Sequence, residues 1–351
     1  MRASLLKYQG RKRMKKYRVA VVGATGLVGT EMINILEELK FPVEELLPLA
    51  SAKSAGKRVD FNGKNWIVKE LKNDSFKGVD IALFSAGGSI SAKFAPIAAK
   101  AGAIVIDNTS HFRMDKDVPL VVPEVNPQDI KKHKGIIANP NCSTAQLVLA
   151  LKPIYDAYGI SRVVVSTYQA TAGAGKEGMD ELMSQTVSIL NGKGVLPPKK
   201  FNKQIAFNLI PQIDVFVENG FTKEEMKMTE ETKKILGDDS VQLVASCVRV
   251  PVFIGHSETV NIETKKPFEL KDVVKLLENM PNVKVVDEPS KNVYPTPIDV
   301  VEINETLIGR IRRDFTVPNG LAMFVVSNNL KKGAALNAVQ IAWELVNQKL
   351  I

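Results

Sequence analysis

Cys142 stands in Ala138-Asn139-Pro140-Asn141-Cys142-Ser143-Thr144, after the apolar run Gly135-Ile136-Ile137 and before a helical run from Ala145 to Tyr158. An apolar run, a Pro-bearing turn and a Ser/Thr-rich helix start together predict a thiol at a helix N-terminus. Unpaired backbone N–H groups and the positive end of the helix dipole favour an anion there. A thiolate is such an anion, and it is the reactive form of cysteine. Position and spacing therefore point to a covalent nucleophile. The second cysteine, Cys247, lies in the strand-like Leu243–Val250 with no helix start behind it and reads as structural.

Groups that could work with a thiolate lie further along. Alternation in the 243–250 strand places Cys247 and Arg249 on one face, opposite Ser246, Val248 and Val250. An Arg in an apolar strand is costly to bury without an anion, which could be a bound substrate or a structural carboxylate. Seven residues on, Gly255-His256-Ser257-Glu258 brings one of three histidines to what reads as a loop after the strand. Histidine is the natural proton donor and acceptor near neutrality. His111 is a weaker candidate, and His133, in Lys131-Lys132-His133-Lys134, reads as part of a solvated turn. Asp107–Arg113 follows a strand and ends in the cation Arg113. Lys223–Lys227 begins a helix with Glu224 and Lys227 on one face. Taken alone, each of these two pieces reads as a surface feature. Gln169, before Ala172-Gly173-Ala174-Gly175, offers neutral hydrogen bonding.

The elements that must carry these residues change texture along the chain. Strand-like runs at Arg18–Val22, Leu46–Ala50, Asp80–Phe84, Ala103–Ile106 and Ile136–Ala138 are separated by helical segments such as Thr30–Leu39 and Ser91–Ala101. That alternation predicts a parallel sheet wound with helices. From about 160 onward, longer strand-like segments (Arg162–Tyr168, Gln242–Val252, Glu258–Glu263, Ala322–Val326) and helices at Gly178–Leu190, Thr222–Leu236 and Leu270–Asn279 predict an α+β domain with a largely antiparallel sheet. The apolar helix Gly333–Leu350 is expected to return to the first domain. The domains expected are thus 17–141 with 330–351, and 142–329.

Gly23-x-x-Gly26-x-x-Gly29 follows the first strand and opens a helix, the setting in which a glycine fingerprint holds a pyrophosphate. An NAD site usually has an acid about 20 residues further on, to bind the ribose hydroxyls. Here the region reads Ser51-Ala52-Lys53-Ser54-Ala55-Gly56-Lys57-Arg58, without an acid. Cations and hydroxyls suit a 2′-phosphate, so NADP is the expected cofactor.

Composition excludes several classes. A chain of 351 residues, 45% hydrophobic, can bury a core large enough for two domains. Two cysteines suggest neither a disulfide framework nor a zinc cluster, and fit a reducing compartment. No metal is expected. No apolar run of about 18 residues suggests a membrane span. The net charge is +9, of which residues 1–13 supply five cations and no acid, leaving +4. Residues 1–16 read as a disordered basic extension without a secretory core, with Met14 an alternative start. Beyond it, charges are mixed and aromatics make up only 6%, so nucleic-acid binding is not expected. A cytoplasmic location is expected.

Taken in order, GATGLVG, SAGK, FSAGG, IDNTSHFRMD, VPEVN, NPNCST, STYQATAGAG, EEMKM, CVRVPV, GHSE and NNLKKGAA resemble the bacterial type of aspartate-semialdehyde dehydrogenase, from about Tyr17 to the C-terminus. The resemblance implies a Rossmann-type domain joined to a catalytic and dimerisation domain. It also implies NADPH-dependent reduction of L-aspartyl 4-phosphate to the 4-semialdehyde with release of phosphate, in lysine, methionine and threonine biosynthesis. It assigns Cys142 as the nucleophile that forms a thioester, Gln169 to orient the acyl group, and His256 to move protons and, when protonated, to stabilise the thiolate. Arg249 would take the α-carboxylate, Glu224 the amino group, and Arg113 and Lys227 the phosphate. Thr25, Gly26, Leu27 and Val28, with Gly23, would cover the pyrophosphate, Lys53 and Ser54 the adenosine phosphate, and Ala172, Gly173 and Asn329 the nicotinamide side. A homodimer or homotetramer is implied. Ala172 stands where serine is expected, Asn328 where aspartate is, and Lys53 where arginine is usual. A neighbouring N-acetyl-glutamyl-phosphate reductase fits less well, given Arg249, the GHSE segment and NPNCS. A binding-only relative would be expected to lack Cys142 or His256.

Overall fold

The computed structural model describes residues 15–351. Most of the basic extension therefore lies outside the described residues; its last two, Lys15 and Lys16, are exposed. The chain divides into two compact units, one running to Asn141 and resuming at Ala334–Ile351, the other Cys142–Gly333.

The first unit carries strands β1 (Tyr17–Val22), β2 (Val43–Ala50), β3 (Arg58–Phe61), β4 (Lys64–Ile67), β5 (Lys69–Glu70), β6 (Ile81–Phe84), β7 (Ile104–Asp107) and β8 (Ile136–Ala138). Six of them form an all-parallel sheet in the order β5-β2-β1-β6-β7-β8, while β3 and β4 make a separate antiparallel pair. Helices α1 (Leu27–Glu38) and α2 (Gly88–Lys100) are crossovers of that sheet. Strands buried on both faces read as continuous apolar runs, as Val19–Val22 and Ile81–Phe84 do here. From β1 the chain passes to β2 on one side and later to β6 on the other. This reversal of order opens a crevice at the C-terminal end of β1, the usual ligand position in such sheets.

The C-terminal helix α7 (Leu336–Asn347) belongs to this unit and is buried over Leu336–Leu345. Trp343 meets the Phe41 ring edge-on at 5.2 Å between centroids, and both join the core with Met32, Ile33 and Leu36 of α1. A short π-turn at Lys331–Ala335 leads into the helix, so the regular helix starts later than its apolar pattern predicts.

The second unit holds helices α3 (Cys142–Tyr158), α4 (Lys176–Leu190), α5 (Lys223–Leu236) and α6 (Leu270–Glu278). Its strands are β9 (Ile160–Gln169), β10 (Gln242–Arg249), β11 (His256–Thr264), β12 (Val283–Val285), β13 (Thr306–Asp314) and β14 (Gly320–Ser327). They form one six-stranded mixed sheet, β10-β9-β11-β14-β13-β12. The three central pairings are antiparallel, and the outer pairs β10–β9 and β13–β12 are parallel. Two details differ from the sequence reading. β10 stops at Arg249, and His256 opens β11 and does not sit in a loop before it. β13 went unrecognised because Arg310, Arg312 and Arg313 interrupt its apolar pattern.

Candidate active site

Cys142 is the first residue of α3, so its thiol sits in the first turn, where backbone N–H groups lack intrahelical acceptors. It is partly accessible, whereas Cys247 is buried against Met228 with an Sγ–Sδ distance of 3.7 Å. Burial pushes the Cys247 thiol far above the ordinary cysteine value, which makes it inert at neutral pH. The two thiols therefore differ as the sequence reading expects.

Parallel pairing of β10 with β9 sets Arg249 beside Gln169, and antiparallel pairing of β11 with β9 sets Ser257 beside Tyr168. The strand ends thus gather Gln169, Arg249 and His256 at one edge, all of them buried. Arg249 Nη1 donates to the Ala170 carbonyl at 2.8 Å. The Ala170 N–H donates to His256 Nδ1 at 3.0 Å. A side chain at Gly173 would place its Cβ 2.8 Å from Arg249 Nη1 and 3.1 Å from His256 Nε2, so the bare glycine leaves room beside both buried groups. Burial lowers the Arg249 pKa, opposed by the negative charges of Glu224 and Cys142. Arg249 thus lies within electrostatic reach of the thiol. Burial, then the Arg249 cation, holds His256 well below the ordinary histidine value.

Gln169 Nε2 donates to Glu224 Oε1 at 3.2 Å and to Thr167 Oγ1 at 3.3 Å, which fixes its amide. Glu224 lies on the first turn of α5, which a Thr222–Glu225 capping box starts. Its Oε2 accepts from Lys227 at 3.1 Å, and Lys227 also reaches Asp214 at 2.8 Å. Burial works against the Lys227 cation, but these carboxylates outweigh it and hold its pKa above the ordinary value. The α5 motif is therefore an internal charge network tied to Gln169, more than a solvated face.

Sequence reasoning gave no part to Ala170 or Glu258, and it named Asn329 only for the nicotinamide side. Ala170 carries no functional side chain, and only its backbone acts. Asn329 Oδ1 accepts from the Gly255 N–H at 3.0 Å, anchoring the turn before His256. Glu258, on the same face of β11 as His256, is completely buried. Burial raises its pKa far above the ordinary value, with Gln146 of α3 as the opposing neighbour. Gln146 Nε2 is also 3.4 Å from the His256 carbonyl.

The first unit supplies a different site. A cavity of about 370 Å³ at the β1–β6 switch is lined by Gly23, Thr25, Gly26, Ser51, Ser85 and Ala86, among others. A Cβ on Gly23 would meet Ser85 O at 2.8 Å, and one on Gly29 would meet Gly23 O at 2.1 Å. A Cβ on Gly26, by contrast, meets only Gly23 O at 3.4 Å. Gly26 is thus the glycine of the three that protein packing does not demand, and it faces the cavity at the start of α1. This fits the close approach of a pyrophosphate. Leu27 and Val28 form the first turn of α1, with Val28 packed on the core. Lys53 and Ser54 form a short 3₁₀ turn after β2, with Lys53 exposed. Arg113 is buried in the same unit, its Nη2 donating to Asn108 O at 2.8 Å. Asp107 braces that loop through Ser91 Oγ and Thr109 Oγ1, each at 2.8 Å. Ala172, Gly173 and Asn329 lie in the second unit.

Two family models match the chain: "Semialdehyde dehydrogenase, NAD binding domain" over residues 18–133, and "Semialdehyde dehydrogenase, dimerisation domain" over 151–332. An aspartate-semialdehyde dehydrogenase of Aquifex aeolicus is 56% identical over 338 residues, covering 95% of this chain and 99% of that protein. The chain belongs to the aspartate-semialdehyde dehydrogenase family. A crystal structure of aspartate-semialdehyde dehydrogenase II from Vibrio cholerae, complexed with ASA, superposes with a TM-score of 0.93 at 51% identity, covering 95% of this chain and 99% of that one. The Candida albicans aspartate-semialdehyde dehydrogenase, solved with NADP, reaches 0.75 at 26% identity over 96% of this chain and all of that one. The chain is accordingly an oxidoreductase with a dinucleotide-binding Rossmann domain. Among the described residues no cluster of three potential metal ligands occurs, and no helix is long and apolar enough to cross a membrane.

Proposed function

We propose that the chain reduces L-aspartyl 4-phosphate to L-aspartate 4-semialdehyde with NADPH, releasing phosphate, through a thioester on Cys142, and so serves lysine, methionine and threonine biosynthesis. The observation that carries this reading is the Cys142 thiol on the first turn of α3, within electrostatic reach of Arg249. Both favour the thiolate. The thiolate attacks the acyl carbon; the C–S bond forms as the carbonyl pair moves to oxygen. Collapse breaks the C–O bond to the phosphoryl group, and hydrogen phosphate departs with the bonding pair and the proton it carried. A nicotinamide cofactor, when bound, supplies the hydride that reduces the thioester carbon. Expulsion of the thiolate then frees the aldehyde.

In this reading Arg249 pairs with the substrate α-carboxylate and Glu224 with its amino group, while Gln169 orients the acyl group. Lys227 and Arg113 hold the phosphate. Gly23 to Val28 hold the pyrophosphate. Lys53 and Ser54 prefer the 2′-phosphate of NADP, while Ala172, Gly173 and Asn329 take the nicotinamide side. Apolar side chains of the second unit, Met183, Leu190, Phe207, Leu209 and Phe216, are half or more exposed, and support a homodimer or larger homo-oligomer buried on this unit. A polypeptide with this composition and enzyme class suits the cytoplasm.

The test runs the reaction backwards, following NADPH absorbance with L-aspartate semialdehyde, phosphate and NADP. Phosphate-dependent turnover that vanishes in Cys142→Ala supports the reaction and the nucleophile together. Turnover that survives in the variant refutes the thioester. An intact protein that binds NADP yet never turns over overturns the substrate assignment.

A further inference from the structure

We propose that Asp214 is a resident competitor for Lys227, whose carboxylate weakens the hold of the active site on phosphate and lets phosphate leave. Asp214 has no task in the reading above, on which the proposal rests through its placing of phosphate on Lys227.

A segment fastened at both ends delivers Asp214 to Lys227. Upstream, the Ile210 N–H donates to the Arg249 carbonyl at 3.0 Å, and the Ile210 carbonyl accepts from the Arg249 N–H at 2.9 Å. Downstream, the Lys223 N–H donates to the Val215 carbonyl at 2.9 Å and the Val217 N–H to the Phe221 carbonyl at 2.8 Å, which ties the segment to the start of α5. Between these anchors the Asp214 backbone is left-handed, with φ +68°. Few residues besides glycine take that conformation, and aspartate and asparagine are among them. Asp214 Oδ1 accepts from the Val215 N–H at 2.9 Å, which leaves Oδ2 to meet Lys227 Nζ at 2.8 Å. Backbone thus sets the carboxylate in place beside the ammonium.

An ammonium has three donors, and Lys227 gives two of them to the carboxylates of Asp214 and Glu224. Two negative charges therefore share one positive charge. The two acids are not equivalent. Glu224 has only 7% of its side chain exposed, meets Lys227 at i, i+3 on one helix, and holds Gln169 with its other oxygen. Taking the cation from so buried an acid is costly. Asp214 has 35% of its side chain exposed, so water can replace Lys227 there. Burial acts against its charge, but the bond from Lys227, then that from the Val215 N–H, outweighs burial and holds the carboxyl below its ordinary value. Asp214 is therefore an anion at neutral pH, as phosphate is.

A phosphate oxygen approaching Lys227 finds the third donor and, beside it, the Asp214 charge. Like charges so close together in a half-buried place repel with little screening. Phosphate must push Asp214 aside or bind against it, and either way its affinity falls. Phosphate is the product of the reductive direction, and release of a tightly held product limits turnover. The acyl phosphate suffers the same repulsion, but its α-carboxylate and amino group bring binding energy that free phosphate lacks. Asp214 thus separates the anion that must leave from the substrate that must stay. It touches neither, and acts through Lys227 as a positioning residue.

The test compares the full chain with Asp214→Asn, which suits the left-handed backbone, keeps an oxygen for the Val215 N–H and removes the charge beside Lys227. Asp214→Gly, also at ease at positive φ, repeats the test should asparagine impair folding. Two quantities are read: KM for phosphate in the oxidation of aspartate semialdehyde, and binding of radiolabelled inorganic phosphate to NADP-saturated protein by equilibrium dialysis. We expect the variant to tighten both by about three- to tenfold, the effect of removing a partly exposed charge partner. KM for the semialdehyde should stay unchanged, a split that loosened structure would not give. Phosphate constants that stay the same or weaken overturn the proposal, as does an equal change in both KM values. Lys227→Met tells the two levels apart. If it leaves phosphate binding unchanged, Lys227 holds no phosphate, and that assignment and the competition fall together. If it weakens binding, the assignment stands, and adding Asp214→Asn to Lys227→Met should then change nothing. A gain that persists without Lys227 overturns the competition alone.

Discussion

Gly333 is packed directly on Cys142: a Cβ built on Gly333 would stand 2.7 Å from Cys142 Cβ and 3.1 Å from its Cα. The contact is to rigid atoms at a helix start and not to the end of a flexible chain, so a methyl group there must displace the thiol. Gly333→Ala is expected to fold, with its thiol moved by a fraction of an ångström to an ångström. A misplacement of that order costs about 10²-fold in kcat. The measurement is steady-state kinetics beside the iodoacetamide alkylation rate of Cys142. An unchanged kcat would show that the thiol tolerates the shift.

Glu258 carries a pH prediction. Its folded-state pKa lies far above 4.5, its ordinary value, because burial favours the neutral acid. Below that value both folded and unfolded chains hold the proton and Glu258 has no effect. As pH rises past it, the unfolded chain releases the proton first while the native state retains it. Stability therefore falls with rising pH until the folded carboxyl itself ionises. Glu258→Gln keeps the shape and removes the titration. It should be more stable than the wild type at pH 7, with a flatter dependence of the urea midpoint on pH above about 5. A variant less stable at pH 7 would mean that the native carboxylate is charged and paired.

How much of this was legible in the sequence depends on what each residue does. Cys142 could be read because a Pro-bearing turn and a polar helix start leave a local imprint, and Gly23, Gly26 and Gly29 because their spacing follows a strand. The parallel sheet showed through its alternating apolar runs. Of the α5 network only the spacing of Glu224 and Lys227 on one helix face could be read, since Asp214 and Gln169 join them only when strand and loop are folded. Ala170 left no signal at all, because its contribution is a backbone N–H and C=O. Glu258 was visible within GHSE, but its burial depends on β11 lying between β9 and β14. The mixed character of the second sheet was likewise hidden, since pairing direction is a property of connections and not of strands.

Arg249 is expected to resist replacement by lysine. The guanidinium uses Nη1 to hold Ala170 O, which in the proposed function leaves the rest of its fork for the substrate carboxylate. Lysine has one compact ammonium and cannot do both. Arg249→Lys should raise KM for aspartate semialdehyde and lower kcat/KM by about 10²–10³-fold, the effect of breaking a buried charge pair costing about 3–4 kcal/mol. It should also shift the alkylation rate of Cys142 toward higher pH, because a favourable charge near the thiolate has moved. A lysine variant with unchanged KM would remove Arg249 from the substrate contacts.

Gly26 and Gly29 give a matched pair of experiments on the cofactor site. At Gly29 a Cβ would lie 2.1 Å from Gly23 O, against backbone that cannot yield. At Gly26 the only neighbour is the same oxygen at 3.4 Å, an ordinary contact, and the backbone there has φ −85° and ψ 166°, open to any residue. Gly29→Ala should therefore destabilise the first unit by several kcal/mol, on the order of an overpacked core. Gly26→Ala should leave the melting temperature within a degree or two while weakening NADP binding by at least tenfold, because its methyl group occupies the space where a pyrophosphate approaches the helix start. The check is thermal melting with and without NADP beside direct titration of the cofactor. Undiminished NADP affinity in a stably folded Gly26→Ala protein would place the pyrophosphate elsewhere than on the α1 turn.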